Sequence, residues 1–109
     1  MEEPLSALEC VPCRGGEESM KGDSLERMAA ELSSEWRIIE EHHLERQFKF
    51  KDFKEALDFV INVSRLAEQQ GHHPDICFGW GKAKITLWTH KIKGLSKNDF
   101  IMAAKIDRI

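Results

Sequence analysis

Leu44-Glu45-Arg46-Gln47-Phe48-Lys49-Phe50, continued through Asp52 to Gly71, is the stretch that decides the fold. In its first seven residues Leu44, Arg46, Phe48 and Phe50 alternate with Glu45, Gln47 and Lys49. That period of two suits a half-buried strand. After Asp52 the period becomes helical. Phe53, Leu57, Val60, Val63 and Ala67 make one stripe, widened by Ala56 and Leu66. Asp52 and Glu55 offer an N-cap and its N3 partner. Gly71 is a natural residue to follow a helix, because it takes positive φ without steric penalty. The spacing therefore predicts a strand and then a helix over about residues 52–70.

Upstream, Leu25, Met28, Ala29 and Leu32 fall on one helical face, with Asp23 and Glu26 spaced as a capping box and Ser33-Ser34 as the end. Trp36 to Ile39 reads as a short strand joined to the alternating one by a turn near 40–43. Asn-Gly is absent there, so the turn type stays open. Downstream, residues 75–79 suggest a short strand. From Lys82 to His90 the alternation puts Ile85 and Leu87 on the core face, and Thr86, Trp88 and His90 together on the other. Lys93-Gly94-Leu95 reads as a turn. Ser96 and Asp99 cap a last helix that is apolar on one side through Phe100, Ile101, Ala103 and Ala104. The natural solution is α+β: a four-stranded antiparallel sheet with three helices on one face. The other face is then half-apolar and free for a ligand or a partner chain. Residues 1–22, with Pro4, Pro12, Gly22 and the pair Gly15-Gly16, read as a flexible arm before a domain at 23–109.

The chain has 109 residues, which suits one domain with a modest core, so self-association would help it. A net charge of −3 gives no electrostatic case for nucleic acid or an anionic membrane. No apolar run approaches the ~20 residues of a membrane span. Glu2 and Glu3 stand where a signal peptide would be basic, so the expected compartment is the cytoplasm. Cys10 and Cys13 form a single CxxC with no second pair. Zinc sites need four ligands, so the motif reads as incidental, or as half of a metal or redox site.

Chemistry concentrates in Glu68-Gln69-Gln70-Gly71-His72-His73-Pro74 and Thr86-Leu87-Trp88-Thr89-His90. Histidine, with an unperturbed pKa of ~6.5, exchanges protons near neutrality. Adjacent histidines chelate one ion poorly, and no carboxylate lies at a metal-motif spacing, which disfavours a metal site. Acid–base catalysis without metal is the sharper reading, with Glu68 or Asp99 orienting an imidazole and Trp80 and Trp88 as flat walls. The plain alternative is a histidine pair that solvates a helix end and an Asp99 that only caps. His42-His43 sits in a polar turn and reads as exposed.

Glu68-x-x-x-His72-His73-Pro74, then Trp80, His90 and Asp99, resembles the signature of the pterin-4a-carbinolamine dehydratase family. Phe48-Lys49-Phe50-Lys51-Asp52-Phe53 and Lys93-Gly94-Leu95-Ser96 agree with it, over about residues 36–108. An aromatic at Trp80 fits the pattern, whereas Trp88 stands where a small residue is common. The resemblance implies dehydration of 4a-hydroxytetrahydropterin to quinonoid dihydropterin, which recycles the cofactor of aromatic amino acid hydroxylases. It implies no metal and no redox cofactor. It also implies His72, His73 and His90 as catalytic residues, the first and last as the acid–base pair. Glu68 and Asp99 become supporting carboxylates, and Gly71, Trp80, Trp88, Thr89 and Lys91 become pterin-lining residues. Dimers or tetramers are implied too. A non-enzymatic dimerisation or transcription-coactivator role of the same fold is the alternative.

Overall fold

In the computed structural model, which describes residues 4–12 and 15–109, the change of period at Asp52 is a change of element. Strand β2 (His43–Lys49) runs into helix α2 (Phe53–Gln70). Asp52 caps the helix, its Oδ1 accepting from the Glu55 N–H at 2.9 Å. The Glu55 carboxylate returns one residue earlier than a capping box requires, accepting from Lys51 N–H at 3.0 Å. At the far end Gly71 is left-handed at φ 65°, and the His72 N–H reaches back to the Ala67 carbonyl at 3.3 Å. That bond is the long-range half of a Schellman closure, and it fixes the backbone of the first candidate histidine.

The sheet is wholly antiparallel, in the order β1-β2-β4-β3, with β1 at Arg37–Ile39, β3 at Asp75–Gly79 and β4 at Lys82–Leu87. Register places Leu44 opposite Leu87, Phe48 opposite Ala83, and Ile76 opposite Ile85. Leu44, Ala83, Ile85 and Leu87 are completely buried on the face that receives the helices. Helix α2 meets this face through Ala56, Phe59, Val63 and Ala67. Its buried stripe is rotated from the expected one, and Phe53 lies at the rim, exposed and against Phe78. The free face is more polar than the alternation suggested. Gln47, Lys49, Lys82 and Lys84 are exposed on it, and Lys84 pairs with Glu45 at 3.4 Å.

Helix α1 (Asp23–Ala29) starts after Gly22 (φ 59°) with no side-chain cap, so Asp23 is its first residue and not its cap. Two short-range turns carry the chain on to the buried Leu32. The β1–β2 turn places two glutamates, Glu40 and Glu41, at φ 53° and 55°. Those are the signs of a type I′ turn, usually Asn-Gly, which explains why the sequence hid it. Helix α3 (Lys97–Ile106) is buried on nearly every side from Asn98 to Ala104, and not on one face. It packs against α1, α2 and β4, and against a 3-10 turn at Leu5–Ala7.

That contact changes the picture of the first 22 residues. Where the sequence suggested a flexible arm, Leu5 is buried, Lys105 donates to the Ser6 carbonyl at 2.9 Å, and Met20 N–H to the Leu95 carbonyl at 2.8 Å. Cys13 lies outside the described residues. Cys10 is half-buried, and its thiol donates to the Asn98 carbonyl at 3.7 Å. Burial, opposed by the nearby Lys105 and reinforced by Asp99 and Glu9, pushes that thiol from 9.0 up to about 11. The folded chain therefore holds the Cys10 proton more tightly than the unfolded chain does. Stability from this group is intact at neutral pH and is lost as pH rises from 9 towards 11. We expect the unfolding free energy to fall over that window, less steeply in Cys10→Ala. Peptide mapping after thiol labelling at neutral pH should find the exposed Cys77 modified well before Cys10. Equal labelling rates would contradict the burial.

Candidate active site

Asp99 is the third residue of α3, and its side chain is 0% exposed. Its Oδ2 accepts the Ser96 N–H at 2.9 Å, which completes a capping box, and the Thr89 hydroxyl at 2.8 Å. Its Oδ1 meets His72 Nε2 at 2.6 Å. Because the Thr89 proton goes to Asp99, the 2.7 Å contact between Thr89 and Ser96 has the serine hydroxyl as donor. A buried carboxylate with three donors is satisfied. Facing a carboxylate, Nε2 of His72 carries a proton, so in the neutral ring Nδ1 holds the lone pair.

His72 is 13% exposed on its side chain, whereas the neighbouring His73 is 60% exposed and lies 2.5 Å from Glu68 Oε2. Adjacent residues on extended backbone point apart, which is why two histidines in a row take two carboxylates from different elements. His90 comes from the other side. Strand β4 ends at Leu87, three residues before the expected His90, and a 3-10 turn takes over at His90–Ile92. Thr89 and Gly94 bridge the base of this loop, with Thr89 N–H to Gly94 O at 2.8 Å. Trp88 and His90 still meet as the strand parity required, stacked with centroids 3.9 Å apart.

These pieces border one cleft of about 370 Å³, within the range of small-ligand sites. Gly71, His72, His73, Trp88, Thr89, His90 and Lys91 all line it. Glu68 and Asp99 stand behind their imidazoles. Trp80 does not join them. It lies in the turn between β3 and β4, 71% exposed, at the opposite end of β4 from Trp88. The chain reversal at Gly81 (φ 73°), not visible in residue spacing, puts it there. His42-His43 also departs from its exposed reading. Both rings are half-buried, with Nδ1 atoms 3.0 Å apart, and the His42 ring lies 4.5 Å from Trp88. Sequence reasoning missed Val11, Pro12 and Asn98, which complete the cleft wall. Among the described residues no group of three His, Cys, Asp or Glu side chains is placed to hold a metal ion.

Comparison with known proteins is decisive at the family level. The model of the family described as pterin 4 alpha carbinolamine dehydratase matches residues 18–109. The chain belongs to that family. A Rubrobacter xylanophilus protein provisionally named as pterin-4-alpha-carbinolamine dehydratase is 58% identical over 105 residues, 96% of this chain and 97% of its own. A similarly named protein of Alkaliphilus metalliredigens is 51% identical over 95% of this chain and 94% of its own. The crystal structure of a transcriptional coactivator/pterin dehydratase from Brucella melitensis is similar at TM-score 0.77 and 27% identity, over 84% of this chain and 97% of that one. A pterin dehydratase-like protein described as a RuBisCO assembly factor is similar at TM-score 0.60 and 26% identity, over 70% and 92%.

Thr89→Val keeps the shape of a buried residue and deletes the hydroxyl that serves both Asp99 and Ser96. It should cost about 1–3 kcal/mol of stability in urea titration, the penalty of a buried group left short of a partner. An unchanged midpoint would contradict the network.

Proposed function

We propose that this family member dehydrates 4a-hydroxytetrahydropterin to quinonoid dihydropterin. The observation that carries the proposal is His72, held by buried Asp99 in a cleft that it shares with His73 and a Trp88-stacked His90. In the reaction a proton is delivered to the 4a-hydroxyl oxygen, and the C4a–O bond breaks with loss of water. The N5 lone pair forms the C4a–N5 double bond, and the N5 proton leaves. The protons balance, so the products are water and the quinonoid ring. His72 and His90 form the acid–base pair. Fixed through Nε2, His72 offers Nδ1 to the N5 side, and His73, backed by Glu68, meets the hydroxyl side. Trp88 gives the flat pterin an apolar wall. The physiological task is recycling of the tetrahydropterin used by aromatic amino acid hydroxylases. The exposed pair Phe53 and Phe78 at edge strand β3, with the exposed Trp80 in the turn that follows that strand, supports self-association.

The Brucella protein is described as a coactivator as well as a dehydratase, which keeps a non-enzymatic module as the second reading. Three imidazoles that border one open cleft, one of them backed by a buried carboxylate, favour the enzyme. No helix among the described residues is long and apolar enough to cross a membrane.

His72→Ala and His90→Ala should each slow dehydration by about 10²–10⁴, the usual loss for one acid–base group, with far-ultraviolet circular dichroism unchanged. Wild-type turnover in the double variant would refute the assignment.

A further inference from the structure

The cleft has a wall that belongs to neither histidine loop. Val11 and Pro12 line it beside Asn98. They come from a segment before residue 18, outside the span matched by the family model. Their position is built and not incidental. The Asn98 side chain, on a residue only 7% exposed, brackets the Val11 backbone. Its Oδ1 accepts the Val11 N–H at 3.0 Å, and its Nδ2 donates to the Val11 carbonyl at 2.6 Å. One residue earlier, the Cys10 N–H donates to Gln70 Oε1 at 2.9 Å, and Gln70 Nε2 donates to Glu9 at 2.6 Å.

The two anchoring amides are next to the site in sequence. Asn98 precedes Asp99, which holds His72. Gln70 precedes Gly71, which ends α2 and delivers His72. The segment Glu9–Pro12 is thus tied to the same two loop ends that fix the candidate catalytic imidazole. Yet Val11 is 66% exposed. An apolar residue whose backbone is pinned at both polar atoms, and whose surface is open towards a cleft, suits a ligand that covers it.

We propose that Glu9–Pro12 is a strap forming part of the pterin-binding wall, with Asn98 as its positioning residue. This rests on the dehydratase reading above. The two strap residues that line the cleft, Val11 and Pro12, carry no proton donor or acceptor side chain. The strap's contribution is to binding. Asn98 borders the cleft and holds Val11 in its wall, and Asp99 holds His72, so adjacent residues on one helix turn serve affinity and chemistry separately.

The test compares Val11→Ala and Asn98→Ala in the full chain, by steady-state kinetics with 4a-hydroxytetrahydropterin and by equilibrium titration with a dihydropterin. Losing both amide bonds in Asn98→Ala should raise KM about tenfold while kcat changes less than about threefold. Val11→Ala, which leaves the core untouched, should raise KM severalfold. The Kd for the dihydropterin should weaken in parallel in both variants. Unchanged KM and Kd in both variants would overturn the strap while leaving the dehydratase reading in place. A fall in kcat at constant KM would also overturn it, since Asn98 would then act through the Asp99–His72 pair. Wild-type protein that neither binds the dihydropterin nor turns over would overturn both.

Discussion

The hydrogen bond between buried Asp99 and His72 is the constraint on which the rest of the site depends. A carboxylate with no exposed surface is tolerated only when its lone pairs are used. Here one oxygen closes the first turn of α3 and takes the Thr89 hydroxyl, and the other takes the imidazole. One side chain therefore joins three pieces of chain: the end of α2 through His72, the end of β4 through Thr89, and the start of α3 through Ser96. These are also the pieces that border the cleft, so folding the core and assembling the site are one event. The Schellman closure at Gly71 and the short bridge between Thr89 and Gly94 finish the work by fixing the backbones on either side.

What could be read from the sequence follows from how local each cause is. The change of period at Asp52, the cap there, the left-handed Gly71 and the Ser96–Asp99 box depend on residues within four positions of one another, and all appear in the structure. Strand parity likewise brought Trp88 and His90 together, although the strand itself stops at Leu87. The second use of Asp99 spans 27 residues, to His72, and no spacing rule reports it. Arg46 shows the same limit. It shares a face with apolar residues and is out of place in the alternation. Asp107, 61 positions away, accounts for it at 2.6 Å, and Trp36 donates to the same carboxylate at 2.7 Å. Trp80 escapes spacing rules for a related reason, because the direction of a reversal decides which end of a strand a residue joins.

The first 22 residues have the composition of a linker, yet those of them that the structure describes include packed or hydrogen-bonded ones such as Leu5, Cys10 and Val11. The partners of these residues lie elsewhere, in the amides of Gln70 and Asn98 and in the core that takes Leu5, and composition carries no record of them. Trp88 is similar. A large ring where the resemblance leads one to expect a small residue gains meaning only when His42 and His90 are found against it. The walls around the histidines and carboxylates are thus explained by this chain's own packing.

The most direct measurement is a crystal structure of the protein with a dihydropterin bound. The expected result is a ring in the cleft between His72, His73 and Trp88, within reach of His90, with the His72–Asp99 bond intact. A pterin bound outside that cleft, or His72 turned away from Asp99 to contact it, would contradict the central role given to that bond.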